Sequence, residues 1–422
     1  MRLNLHDFSG HPFQAQLSRN LAARGHDVLH GFSSQYITGH GRLAVGAQDP
    51  SSLRFEGVSA AVPMVKYAPV RRARFELAYA DAWCRHLERE QFDVVVACNV
   101  PLLAMAKMRR YFADRRQPWV FWHQDIYSAG MAAEASRRLP APAARSAARA
   151  FAKAESALVR DADAVVAIGP AFLDQYRRWG LRSDHVSVIP NWAPLDELMP
   201  GERNNGWAAA HHLPREPIRL MYAGTLGRKH NPLLLLELLD GCLARGLDAV
   251  LIVVSEGVGA DDLAAAAAGR RDVRILGYQP AEELSDVLAS ADVMVALLEP
   301  DAARFSVPSK VLSYLAAGRP TIALVPDGNP SADDVRMAGG FVAAPTKTGA
   351  RESVSWLDAV ATDPFALVAL GRRARALAID RFDIDLVGSR FEELLQDATH
   401  LPKAPRRGTL LGVSSDGDGG TA

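Results

Sequence analysis

Arg219-Leu220-Met221-Tyr222-Ala223-Gly224-Thr225-Leu226-Gly227-Arg228-Lys229-His230-Asn231-Pro232 reads as an apolar strand, a glycine-containing turn, two cations, and then Asn and Pro at the N-cap and N1 positions of a helix. A second stretch follows the same logic. Ser306-Val307-Pro308-Ser309-Lys310 leads into Val311-Leu312-Ser313-Tyr314-Leu315-Ala316-Ala317-Gly318-Arg319-Pro320, a helix with a proline start and a glycine stop. The amino end of a helix presents unpaired N–H groups and a partial positive charge, which suit a phosphate. Two such ends suit a diphosphate.

Outward from these stretches, short apolar runs alternate with longer helical patterns, the signature of parallel sheets covered by helices. In the first half the expected strands are Asp27–His30, Phe92–Ala97, Trp119–Trp122, Ala164–Ile168 and Val186–Ile189, with the clearest helix from Phe13 to Arg24. In the second half they are Leu220–Ala223, Ala249–Val254, Val273–Leu276, Val293–Leu298, Thr321–Val325 and Gly340–Ala343. The pattern predicts an α/β protein of two Rossmann-like, doubly wound domains, 1–190 and 218–378. Between them, 191–217 is rich in turn formers (Asn191, Pro194, Pro200, Gly201, Gly206, Pro214, Pro217) and reads as a linker over a cleft. Ligands of such sheets bind beyond the carboxyl ends of the strands, so the cleft is the expected site. Residues 379–400 carry a last amphipathic helix, expected to pack back towards the first domain, and 401–422 read as a disordered tail.

The charge balance, 48 Lys and Arg against 48 Asp and Glu, provides no global field for nucleic acid. Cys84, Cys98 and Cys242 are odd in number and far apart, which fits reduced core residues better than disulfides or a metal cluster. No run approaches the roughly 18 apolar residues of a membrane span, and Arg2-Leu3-Asn4-Leu5-His6-Asp7 lacks a signal-type core. The expectation is a cytoplasmic protein.

In order and spacing the chain resembles a known family, the retaining glycosyltransferases of family 4, of GT-B architecture, and among them bacterial exopolysaccharide enzymes of the colanic-acid type. The resemblance runs over about 1–397. Its segments are Asp7-Phe8-Ser9-Gly10-His11 followed by Leu21 to Val28, His123-Gln124-Asp125-Ile126-Tyr127, Val188-Ile189-Pro190-Asn191-Trp192, Tyr222 to Lys229, and Val307 to Pro320. It implies a nucleoside diphosphate sugar, on UDP or GDP, held mainly by the second domain, and a saccharide acceptor, expected to be lipid-linked, held by the first. By the same resemblance Arg228 and Lys229 neutralise the departing diphosphate, a charge that develops in the transition state. Ser306, Val307, Pro308, Ser309 and Lys310 surround the distal phosphate and sugar. An ordinary helix cap also explains Ser306 and Pro308, but not Lys310, whose charge opposes the positive end of a helix. His123, at the end of Trp119–Trp122, is expected to face the cleft and approach the donor sugar. Gly224, Thr225, Gly257 and Tyr278 complete the donor side. Asp7, Gly10, His11 and Asp125 line the acceptor side, where a polar turn is the plainer reading.

Many family members carry two glutamates eight residues apart before and within the helix matched by 311–317. Aligned on Pro308 and Gly318, this chain has Phe305 and Ser313 there, which puts the sugar and ribose contacts in doubt and leaves Ser313 as the ribose candidate. Retention in this fold is usually explained by front-face attack, in which the departing phosphate accepts the acceptor's proton. The protein then supplies orientation and phosphate stabilisation. With no Asp-X-Asp motif in a suitable loop and clustered cations instead, transfer without a metal or other cofactor is expected. Lys66, Arg71, Arg72 and Arg74 interleave with Tyr67, Val70 and Phe75, and Arg137, Arg138, Arg145, Arg149, Lys153 and Arg160 follow in an alanine-rich helix. Such surface suits an anionic bilayer or a lipid pyrophosphate, or is a solvated helix face. Alternative readings are a nucleotide-sugar epimerase of the same architecture and a non-catalytic sugar-nucleotide-binding protein.

Overall fold

Strands with no polar alternation must be covered on both faces, and Val94–Cys98 and Ala249–Val254 are buried along their whole length. The computed structural model describes residues 1–36, 41–65, 68–182, 184–227, 230–299, 309–363 and 365–400. Within them, β1 (Arg2–Asp7), β2 (Asp27–Ser33), β3 (Leu53–Val58), β4 (Val94–Cys98), β5 (Trp119–His123), β6 (Ala164–Ala167) and β7 (Val186–Val188) form one sheet in the order β3-β2-β1-β4-β5-β6-β7. A second sheet contains β8 (Ile218–Ala223), β9 (Ala249–Val254), β10 (Val273–Leu276), β11 (Val293–Leu297), β12 (Thr321–Leu324) and β13 (Phe341–Ala343), in the order β10-β9-β8-β11-β12-β13. All these pairings are parallel. The order reverses between β1 and β4 and again between β8 and β11, which opens a crevice at the carboxyl ends of each pair.

The two-residue strand period divides the second core. Met221, Ala223, Ile252 and Met294 point into one apolar layer, while Leu220, Tyr222, Leu251 and Val293 point into the other. β1 and β3 are absent from the expected strands, and β3 has a plain reason. Leu53-Arg54-Phe55-Glu56-Gly57-Val58 is an edge strand with only its ends buried, so it needs no apolar run. The helix after Gly227 begins at Leu233, one residue later than expected, with Pro232 at the cap and Asn231 Oδ1 accepting from Leu233 N–H at 3.2 Å.

The stretch 191–217 is more ordered than its composition suggests. Arg219, wholly buried, donates from Nε to Pro214 O (2.9 Å), from Nη1 to Arg203 O (2.7 Å) and Ser290 O (3.2 Å), and from Nη2 to Asn204 Oδ1 (2.8 Å). Asn205 caps a short helix, Gly206–Ala210, through Ala208 N–H at 2.9 Å. The connection is therefore bound to the second sheet by backbone carbonyls that would otherwise lie against it without partners.

The last helix, Ile384–His400, packs on the first domain. Val387, Phe391, Leu394 and Leu395 enter the core that contains Leu17 and Leu21, and Phe391 meets Trp122 edge-on with ring centroids 4.8 Å apart. Glu392 receives Arg24 Nη1 at 3.2 Å and pairs with His26 Nε2 at 2.9 Å. Where the chain returns, Ala193 N–H donates to Phe382 O at 2.8 Å, so the outgoing and incoming segments run side by side. No single helix among the described residues is long and apolar enough to cross a membrane. Phe391→Ala should lower the unfolding free energy by about 3–5 kcal/mol in urea titrations, the usual cost of an emptied aromatic site. Leu386→Ala, on the exposed side of the same helix, should shift it by less than about 0.5 kcal/mol.

Histidines without access to water sit beneath β1 and β2. His6 lies flat on Trp83 at 3.8 Å with Nε2 2.9 Å from Tyr79 Oη, and His30 Nδ1 lies 2.8 Å from Ser18 Oγ. Burial, reinforced by His86 and His30, drives the His6 pKa well down; burial and Arg19 lower that of His30 to about 3. The unfolded chain binds these protons at about pH 6.5 and the folded chain does not, so their contribution is intact above that pH and is lost as pH falls towards 3. The unfolding free energy from urea titrations should drop between pH 7 and pH 5, by up to about 1.4 kcal/mol per pH unit for each histidine. A His30→Gln variant should show a shallower decline.

Candidate functional site

At the carboxyl end of β8, two tyrosines fasten the donor-side helix to the sheet. Tyr314, on the helix Ser309–Ala316, donates to Ala223 O at 2.8 Å and accepts from Ala223 N–H at 3.2 Å. The helix closes with Gly318 N–H on Leu315 O (3.0 Å) and Arg319 N–H on Tyr314 O (3.1 Å), a Schellman end. Tyr222 donates its hydroxyl to Thr225 O at 2.9 Å and accepts from Lys310 Nζ, which lies 4.1 Å from the Tyr222 ring centroid. A Cβ on Gly224, where φ is +123°, would lie 3.5 Å from Lys310 Cε and Nζ. Lys310 thus sits between the strand end and its own helix start. Burial lowers its pKa to about 7, which lets a lysine occupy the positive end of a helix.

The turn after Gly224 is held from β9. Leu226 N–H donates to Ser255 Oγ at 3.0 Å, and Gly259 N–H donates to Leu226 O at 2.9 Å. Gly257, at φ +112°, passes so close that a Cβ would meet Leu226 O at 3.0 Å, so the site needs glycine there. Tyr278, about half exposed at 48%, hydrogen-bonds Thr225 Oγ1, and its N–H donates to Glu256 Oε1 at 3.3 Å. Of the donor-side residues, Gly224, Thr225, Gly257, Tyr278 and Lys310 converge here. Ser309 is exposed and Ser313 half-buried on the same helix. Arg228, Lys229, Ser306, Val307 and Pro308 lie outside the described residues.

On the first domain, Asp7 is fully buried at the end of β1. Its Oδ2 accepts from His11 N–H at 2.5 Å, and its Oδ1 accepts from Ser9 N–H at 3.3 Å and from Asn99 Nδ2 at 2.8 Å. Burial raises its pKa, and His11 and these hydrogen bonds oppose the rise. Gly10, at φ +68°, turns the chain over it. Asn99, a non-glycine residue at φ +54°, accepts at Oδ1 from Tyr127 Oη at 3.1 Å. Asp125 is exposed, and Gln124 exchanges amide hydrogen bonds with Asn191 at 2.9 and 3.0 Å.

His123 does not face an open cleft as expected. Its side chain is wholly buried, with Nδ1 2.8 Å from Tyr176 Oη and Nε2 3.1 Å from Glu155 Oε1. The alternation of β5 explains this, since a residue at a strand's end still belongs to one face, and here that face is covered by the helices Ala141–Asp161 and Ala171–Arg178. Sequence reading missed Tyr222, Tyr314, Asn99, Glu155 and Tyr176. Asn99 alone carried a local signal, a polar residue directly after an apolar strand. The tyrosines look like core, and nothing local marks Glu155 as buried.

The sequence matches the family model described as glycosyl transferase 4-like domain over residues 11–192 and that described as glycosyl transferases group 1 over residues 217–357. No curated protein matches the sequence. Among solved structures, the fold is similar to sucrose-phosphate synthase from Thermosynechococcus elongatus (TM-score 0.72, 16% identity, 94% of this chain and 98% of that one). It is also similar to HepE of Anabaena solved with UDP (0.68, 15%, 94% and 100%) and to WaaG, a glycosyltransferase involved in lipopolysaccharide biosynthesis (0.64, 16%, 94% and 99%).

An anion bound beside Lys310 would bind with an affinity that depends on pH. Above about pH 7 the amine loses its proton, so affinity for pyrophosphate should fall between pH 6.5 and 8.5 in calorimetric titrations. Lys310→Met should bind about 10–100-fold more weakly at pH 6.5, as expected for loss of a charged hydrogen-bond donor, and should flatten the pH dependence.

Proposed function

Because the chain belongs to the GT-B glycosyltransferases of the family 4 and group 1 type, we propose that it is a retaining transferase that moves a sugar from a UDP- or GDP-sugar to a lipid-linked saccharide in polysaccharide or glycoconjugate assembly. The observation that carries this reading is the junction of Gly224, Tyr222 and Lys310, which brings the turn after β8 and the start of the helix Ser309–Ala316 to one point at the switch between β8 and β11. A diphosphate there meets N–H groups, helix dipole and cation together. The similar protein HepE, solved with UDP and with UDP-glucose, supports a UDP-sugar as donor.

In this reading the leaving diphosphate accepts the acceptor's proton, and the protein lowers the barrier by stabilising the charge that develops on it. Arg228 and Lys229, which follow Gly227 in the sequence, supply that charge together with Lys310, and no metal is required. Asp7, Gly10, His11 and Asp125 receive the acceptor. The lipid is suggested by Val70, 75% exposed beside Arg71 and Arg74, and by Arg145, Arg149 and Lys153, which recur every four residues on the helix Ala141–Asp161. Peripheral attachment to an anionic membrane follows from the same surface.

The test is to incubate the protein with UDP- and GDP-sugars and lipid pyrophosphate saccharides, with and without a chelator, and to read the anomeric configuration by NMR. Transfer with retention, unaffected by chelation, is the expected result. Lys229→Ala should lose at least about 100-fold in kcat, the scale of a lost oxyanion contact, at an unchanged thermal midpoint. An inverted product, or dependence on added metal, would refute the mechanism.

A further inference from the structure

Glu155 is a carboxylate with no exposed surface, on a helix otherwise rich in alanine, and its carboxyl oxygens receive three donors from the functional loop of the first domain. Oε1 lies 3.1 Å from His123 Nε2 and accepts from Tyr127 N–H at 2.7 Å, while Oε2 accepts from Ser128 N–H at 3.0 Å. Tyr127 and Ser128 are the first two residues of the helix Tyr127–Arg138, which has no cap from its own chain segment. Glu155 therefore caps that helix from a distance and complements its dipole.

Both oxygens act as acceptors, so the His123 proton on this side belongs to Nε2, and the Tyr176 hydroxyl pairs with Nδ1. Both ring nitrogens are thereby committed inward. The loop between the two anchored ends is Gln124, Asp125 and Ile126. Gln124 reaches Asn191, and Asp125 is left exposed at the carboxyl end of β5. From the far anchor, Tyr127 Oη reaches Asn99 and, through it, Asp7. One buried carboxylate thus fixes the strand end, the helix start and the polar groups between them.

We propose that Glu155 is a positioning residue, which holds the 123–128 loop in the single geometry that transfer requires while touching neither donor nor acceptor. This inference rests on the glycosyltransferase reading above. Removing the anchor lets the loop occupy other geometries, so turnover falls while nucleotide binding, a property of the second domain, remains.

The test is Glu155→Gln, which keeps volume but puts an NH₂ group opposite one of the three donors. Nitrogen-15 NMR of the His123 ring should show a weakened hydrogen bond at Nε2, and hydrogen exchange of the Ser128 amide, which loses its acceptor, should accelerate at least tenfold. With a UDP- or GDP-sugar that the wild type uses, kcat should drop about 10–100-fold with the UDP or GDP dissociation constant within twofold of wild type. If Glu155→Gln does not fold, Glu155→Asp, which keeps the charge but withdraws it by a methylene, carries the same measurements. A kcat within twofold of wild type, or a loss matched by equal weakening of nucleotide binding, would overturn the proposal. A wild type that transfers sugar from no nucleotide donor fails the glycosyltransferase reading instead, and the His123 Nε2 hydrogen bond and Ser128 amide protection still decide whether Glu155 orders the loop.

Discussion

A parallel sheet covered on both faces has one kind of place for polar chemistry, the ends of its strands, and the rest of this molecule is arranged around that constraint. β4 and β9 have no exposed residue along their length, so side chains within them can only pack. Polar function is displaced to Asp7 and Asn99 on one sheet and to Gly224 and its turn on the other. Each group lies next to the point where strand order reverses and the connecting helices diverge.

The two ends solve the problem of a buried charge in different ways. Glu155 is surrounded by donors, two of them backbone N–H groups at a helix start. Lys310 has a tyrosine hydroxyl and an aromatic face as partners, and burial lowers its pKa towards neutrality. The first arrangement is complete and suits a fixed anchor. An anion placed beside the second would restore the proton that burial disfavours.

The two domains are joined by a composite connection rather than a loose tether. Arg219 and Arg375 bind the carbonyls of the connecting segment, Arg375 reaching Leu198 O at 2.8 Å and Ala316 O at 2.6 Å. The chain then returns through Phe382 to place Phe391 in the first core. The two crossings are themselves paired, with Ala193 and Phe382 both buried.

The sequence by itself determined the two doubly wound domains, since continuous apolar runs separated by helical periods have few other ways to bury their surface. It also located the β8 turn and the helix start at Ser309, because glycine, proline and capping residues act over a few neighbours. It missed β3, whose edge position requires little burial, and it mistook Pro-Gly-rich 191–217 for a plain linker because the binding arginine, Arg219, lies beyond it on a strand. Only the tertiary structure decided where His123 points. Orientation at a strand end depends on which face is covered and by what, and the covering groups, Glu155 and Tyr176, come from helices 32 and 53 residues away in the chain. Pairings at such separations leave no local pattern, because each partner alone is an ordinary residue in an ordinary helix.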